Sequence, residues 1–211
     1  MPERLVQIYE KLYASFGPQH WWPGDTAFEV AVGAILTQNT NWGNVEKAVK
    51  NLKDKHLLSP SALHELPHDR LAAHIRPAGY FNIKAKRLKN FVDLLMQEYQ
   101  GSMKRMKRED PGSIRKKLLS VNGIGPETAD SILLYALEKP VFVIDAYTKR
   151  VLSRHTILDH DASYDAFQKL FHTKLKENVS LFNEYHALFV RLAKEYCRTR
   201  PVCTGCPLER M

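Results

Sequence analysis

Apolar residues recur three and four positions apart along almost the whole chain, the spacing of one helix face. Residues 26 to 37 (TAFEVAVGAILT) carry a broad apolar face through Phe28, Ala31, Ile35 and Leu36. Residues 82 to 99 line up Ile83, Leu88, Phe91, Leu94 and Leu95 between basic and polar positions. Ser59-Pro60 supplies a capping hydroxyl and then a proline at a first helical position, which opens another helix. The pattern predicts further helices over 126–137, 145–155, 162–177 and 180–197, and an amphipathic one at the start. PVFVID at 140–145 suits a short strand or, equally, an extended connector. With no internal repeat and no low-complexity stretch, the predicted fold class is all-α.

Composition narrows the setting. A chain of 211 residues holds one large domain or two small ones, and 44% hydrophobic with 26% charged residues is ordinary for a globular protein. No apolar run approaches the roughly 20 residues a membrane helix needs. The mixed-charge start lacks a secretory apolar region, so a cytoplasmic location and no membrane partner are expected. Lys and Arg outnumber Asp and Glu by 31 to 23, a net +8 that suits a polyanion or simply a solvated basic surface. Cys197, Cys203 and Cys206 crowd one end in odd number, unlike a disulfide framework, and point to metal or cluster ligation.

The densest signal is KKLLSVNGIGPETADSILLYAL at 116–137, two apolar helical segments around Asn122-Gly123-Ile124-Gly125. Both glycines are expected to allow positive φ and close approach of a partner, with Ile124 plugging the junction. Pro126 starts the next helix without wasting a donor, so amides around 125–128, Thr128 included, would face outward as a phosphate site. A plain turn between helices is the alternative. Twenty positions after Gly125 stands Asp145, in VFVIDAYTKRV, where an acid opening a helix is often only an N-cap.

Hairpin, aspartate and cysteine loop, in this order from about Phe28 to Cys206, resemble the endonuclease III superfamily of helix-hairpin-helix DNA glycosylases. That family's hairpin reads LPGVGxKTA and precedes a catalytic aspartate, and Arg150 and Val151 sit in familiar places. The resemblance implies a six-helix bundle over 25–138 and a second helical domain from 1–24 plus 139–211, with a damage pocket in the cleft between them. It makes Asp145 the catalytic carboxylate, stabilising oxocarbenium character and orienting water. Where bifunctional members carry an imine-forming lysine, this chain has Glu127, which implies base excision without the lyase step. Glu127 then either positions water or is a surface residue at a helix start.

WWPGD at 21–25, LTQNTNWGNVEKA at 36–48, RPAGYFNIKAKRL at 76–88 and the wording GIGPETAD are most similar to the endonuclease III-type 3-methyladenine glycosylases. By that resemblance Trp21, Trp22 and Trp42 stack on a flipped base, with Pro23 stiffening the loop, unless the indoles are core residues. An electron-poor alkylated purine suits electron-rich indoles. Gln38 or Asn39 would fill the gap left by the extruded nucleotide, or act as a helix C-cap. The expected partner is duplex DNA containing damaged bases, bound by a monomer. Uracil, mismatched thymine and oxidised pyrimidines are alternative substrates, and a non-catalytic DNA-binding hairpin protein is the rival class. The cysteines form C-x5-C-x2-C against the family's C-x6-C-x2-C-x5-C, with the fourth position one past Met211. A structural [4Fe–4S] cluster is implied, with zinc as the alternative. Lys194, Arg198 and Arg200 around the loop are expected to contact the DNA backbone.

Overall fold

Short polar side chains fix where the helices begin. In the computed structural model, which describes residues 2–21 and 24–211, Thr26, Asn41, Ser59, Ser102, Asp110, Ser163 and Asn178 each accept a hydrogen bond from the backbone amide three residues on. Each such bond satisfies one of the donors a helix start leaves open. The described residues are all-helical and contain no strand. None of these helices is long and apolar enough to cross a membrane. The chain divides into two units, Pro23–Lys139 and Met1–Trp22 with Pro140–Met211.

In the first unit the helices are α2 (Ala27–Leu36), α3 (Trp42–Asp54), α4 (Pro60–Glu65), α5 (His68–His74), α6 (Phe81–Tyr99), α7 (Met103–Arg108), α8 (Pro111–Ser120) and α9 (Pro126–Ser131); α1 (Pro2–Phe16) belongs to the other unit. The centre of this unit is α2, buried from Phe28 to Gly33 and again at Ile35 and Leu36, its one charged residue, Glu29, paired with Lys53 at 2.7 Å. It packs against α3, α6 and the segment after α9. The α6 stripe is Ala85, Leu88, Phe91, Val92 and Leu95, whereas Ile83 is left exposed. That differs from the expected stripe because the helix face turns so that Lys84, not Ile83, points inward. The run 126–137 is not one regular helix. After Ser131 it widens into a π-helical turn, Ile132–Ala136, in which five consecutive residues are buried.

The second unit contains α1, α10 (Ala146–Arg154), α11 (Tyr164–Lys174) and α12 (Val179–Glu195). Its core is aromatic. Phe142 stacks on Phe171 with ring centroids 3.6 Å apart, and Tyr185 stacks on Phe189 at 4.7 Å. Tyr185, fully buried, keeps its hydroxyl satisfied on the Leu5 carbonyl at 2.8 Å. Residues 140–145 are a connector, not a strand. Its polar backbone is matched by side chains of α11: the Phe142 amide donates to His172 Nε2 (3.2 Å), Gln168 donates to the Phe142 carbonyl (2.9 Å), and the Ile144 amide donates to Tyr164 Oη (3.3 Å). Buried extended backbone needs partners, and here they come from a helix instead of a neighbouring strand.

Candidate functional site

The turn between α8 and α9 is built inside out. Val121 and Ile124 are buried, and the Ile124 amide closes on the Val121 carbonyl at 3.0 Å. Two consecutive carbonyls of the turn face the protein: Asn122 O accepts from Asn90 Nδ2 (2.9 Å) and Gly123 O from Gln38 Nε2 (3.0 Å). The amides of Gly123, Gly125 and Thr128 find no backbone acceptor among the described residues. Amides left without a backbone acceptor at a helix start are groups an anion can take, and the start of α9 adds to the positive field. Arg115 locks the two helices together with a two-pronged bond to the fully buried Asp130, at 2.7 and 3.1 Å.

The two glycines do different things. Gly123 has φ 96°, and a Cβ there would lie 2.3 Å from Arg87 Cγ, so the fold itself demands glycine. Gly125 has an ordinary extended backbone, φ −92°, which corrects the expected positive φ. A Cβ at Gly125 would meet nothing within 4 Å. Nothing inside the protein requires that glycine.

Gln38 and Thr128 are committed internally. Gln38 Nε2 also donates to Thr128 Oγ1 at 2.9 Å, Arg87 donates to Gln38 Oε1, and Thr128 is buried. The Thr128 hydroxyl therefore faces a protein partner, and only its amide is available outward. Asn39 is exposed, in the left-handed region at φ 54°. Glu127 is exposed in the first turn of α9, its carbonyl accepting from Ser131 Oγ.

Asp145 lies in the other unit, as the N-cap of α10. Its Oδ1 accepts from the Thr148 amide at 2.6 Å, and Oδ2 is 3.5 Å from His186 Nε2 on α12. The side chain is only 12% exposed. Burial pushes the carboxyl upward, but the His186 contact and the Thr148 bonds outweigh it, so the group is held below its ordinary range and stays ionised near neutrality. His186 carries no motif. Its only sequence signal is a polar residue inside the apolar stripe Phe182, Tyr185, Phe189.

Trp42 opens α3 half-buried, its ring against Gly33 of α2 and its Nε1 on Glu46 at 2.9 Å. Trp21 is a half-buried residue of the coil after α1. Trp22 and Pro23 lie outside the described residues. Tyr80, inside the segment 76–88 but given no role of its own there, is 68% exposed in a left-handed conformation next to Gly79, an outlier of the kind that collects at functional sites.

Cys197, two residues past the end of α12, is buried, Cys206 is half-buried and Cys203 exposed, all as free thiols. Arg154 Nη1 approaches Cys197 Sγ at 3.3 Å and also binds the Arg198 carbonyl at 2.6 Å, while Arg150 Nε binds the Cys197 carbonyl at 2.7 Å. Burial first, then the neighbouring thiols, push the Cys206 thiol up. Three soft sulfurs on one loop suit iron–sulfur or zinc chemistry. Among the described residues, however, no group of three or more His, Cys, Asp or Glu side chains is arranged to hold a metal.

Comparison with known proteins follows the same lines. The profile of the HhH-GPD superfamily of base excision DNA repair proteins matches residues 32–177. A Methanocaldococcus jannaschii protein, provisionally named DNA repair glycosylase MJ1434, is 46% identical over 98% of this chain and 94% of its own length. The solved structure of the 3-methyladenine DNA glycosylase MagIII of H. pylori, bound to 1,N6-ethenoadenine, superposes with a TM-score of 0.77 at 29% identity, over 92% of this chain and 97% of that one. A trapped endonuclease III–DNA covalent intermediate gives a TM-score of 0.85 at 20% identity, over 99% and 93% of the two chains, a likeness of fold.

Proposed function

We infer that this chain, which belongs to the HhH-GPD superfamily of base excision DNA repair proteins, is a monofunctional DNA glycosylase that hydrolyses the N-glycosidic bond of an N-alkylated purine such as 3-methyladenine in duplex DNA. The observation that carries the reading is Asp145: an ionised carboxylate, nearly buried, with one oxygen fixed by a helix start. Beside C1′ of a bound lesion, such a carboxylate stabilises positive charge as the bond to the base breaks. The base leaves with the bonding electron pair. A water oxygen then bonds to C1′, and its proton passes to a carboxylate or to solvent. A cationic alkylated purine departs neutral, so little acid catalysis is needed.

Glu127 stands where bifunctional members carry their lysine, and a carboxylate forms no imine, which supports hydrolysis without strand cleavage. The amides of Gly123, Gly125 and Thr128 are proposed to grip a phosphate of the lesion strand without reading sequence. Asn39, exposed beside the committed Gln38, is the better residue of the two to fill the vacated stack. Trp21, Trp22, Pro23 and Trp42 are proposed to line the base pocket, and the similarity to the H. pylori glycosylase supports the alkylated-purine choice. The cysteine loop is proposed to lend three thiolates to a structural [4Fe–4S] cluster, with zinc as the alternative, which iron, sulfide and zinc analysis decides. No catalytic step depends on it.

The test is base release from duplexes carrying 3-methyladenine, uracil, mismatched thymine or an oxidised pyrimidine, by wild type and Asp145→Asn. Release of alkylated purine by wild type, its loss with DNA binding intact in the variant, and no borohydride-trapped adduct are expected. Undiminished release by Asp145→Asn would overturn the catalytic assignment, and release confined to another lesion would overturn the substrate.

A further inference from the structure

His186 sits on the buried face of α12 among Phe182, Tyr185 and Phe189, where an apolar side chain would pack equally well. Its ring meets Phe142 edge-on, with centroids 6.5 Å apart. Imidazole is a costly group to bury unless a polar partner repays its lost hydration. Asp145 is that partner, its Oδ2 3.5 Å from Nε2 with both side chains almost out of solvent. The Thr148 amide takes Oδ1. A carboxylate held by one oxygen can pivot about that bond, and the ring standing 3.5 Å from the other oxygen limits where it can turn.

We infer that His186 is a positioning residue for Asp145, its ring set 3.5 Å from the carboxylate oxygen that the Thr148 amide does not hold. The inference rests on the catalytic reading of Asp145 given above. Other charges on α10 are turned elsewhere. Lys149 Nζ lies over the Phe167 ring and donates to the Ala162 carbonyl, and Arg150 lies over Tyr147 and binds the Cys197 carbonyl. From α11, His172 faces the Phe142 amide and Glu177. His186 is thus the ionisable group that acts on Asp145, with Thr148 of the same helix supplying hydrogen bonds. Without it, desolvation of the carboxylate would go uncompensated and the group would protonate at higher pH.

The experiment compares wild type, His186→Leu and His186→Asn in single-turnover base release across about pH 5.5 to 8.5, with duplex affinity measured alongside. His186→Leu should bind duplex as wild type does, lose rate toward the acid end of that range, and recover toward the alkaline end. His186→Asn, which restores a donor but no charge, should regain part of the rate while its acid limb stays displaced. A His186→Leu profile parallel to wild type, or an equal loss at every pH that Asn does not relieve, overturns the proposal. Should the leucine variant not fold, the displaced acid limb of His186→Asn decides alone. Undiminished release by Asp145→Asn would instead sink the catalytic reading, a separate outcome.

Discussion

Gln38 donates to the carbonyl of Gly123 at 3.0 Å, a bond that joins residues 85 apart and ties the loop after α2 to the hairpin turn. The same amide reaches Thr128 Oγ1, and Arg87 holds its other end. Removing it leaves a buried hydroxyl and a turn carbonyl without a donor. Gln38→Ala should therefore cost about 1–2 kcal/mol in urea unfolding and weaken duplex binding several-fold. Asn39→Gly, which keeps the left-handed backbone, should leave stability unchanged and slow base release from lesion duplexes. A Gln38 variant with wild-type stability and affinity would mean that the brace is incidental.

The hairpin glycines should separate cleanly. Gly123→Ala forces a Cβ into Arg87 at a positive φ and should destabilise the fold by about 1–3 kcal/mol. Gly125→Ala meets open space at an ordinary φ, so its melting should lie within about 0.5 kcal/mol of wild type. Its effect should fall on DNA, with affinity lowered about tenfold as the methyl occupies the room a phosphate needs. Equal affinity for Gly125→Ala and wild type would remove the turn from the DNA contact.

Glu127→Lys puts an amine at the exposed first turn of α9, where the bifunctional relatives carry theirs. If only the missing amine prevents imine formation, borohydride should trap an enzyme–DNA adduct with the variant and none with wild type. Comparable trapping in both would mean that another amine, Lys149 foremost, already serves as nucleophile.

Sequence and structure agree best where the determinants are local. Ser59-Pro60 and the acid at 145 each start a helix because capping needs only the next three residues. The all-helical class follows from the 3.6-residue period in the same way. The 140–145 connector was ambiguous because its backbone partners, His172, Gln168 and Tyr164, arrive from a helix some twenty to thirty residues on. Ile83 was misplaced and Lys84 overlooked because periodicity prefers an isoleucine inside, and two helix-end carbonyls awaiting a cation are visible only in three dimensions. The inward commitments of Gln38 and Thr128, and the pairing of His186 with Asp145, are likewise long-range.

Lys84 offers the sharpest test of such a long-range determinant. It is 1% exposed, and its Nζ donates to Leu36 O at 2.8 Å and Ala78 O at 2.7 Å, capping the end of α2 and the turn before α6. Burial, aided by nearby Arg87, lowers its pKa from 10.5 to about 8. Below pH 8 the amine is charged in both folded and unfolded chains, and the folded one bears the cost of burying it. Between pH 8 and 10 the folded chain sheds its proton while the unfolded chain keeps it, so stability rises with pH. The gain should reach about 2 kcal/mol over that interval. Above it, Tyr99, pushed up to about 12 by burial and by Glu109, works in the opposite sense, so the window closes near pH 10. Urea midpoints measured across pH 8 to 10 should climb for wild type and stay level for Lys84→Met. That variant should also be less stable throughout, because Leu36 and Ala78 lose their donor. Parallel slopes for the two proteins would show that the buried amine is not the group that titrates.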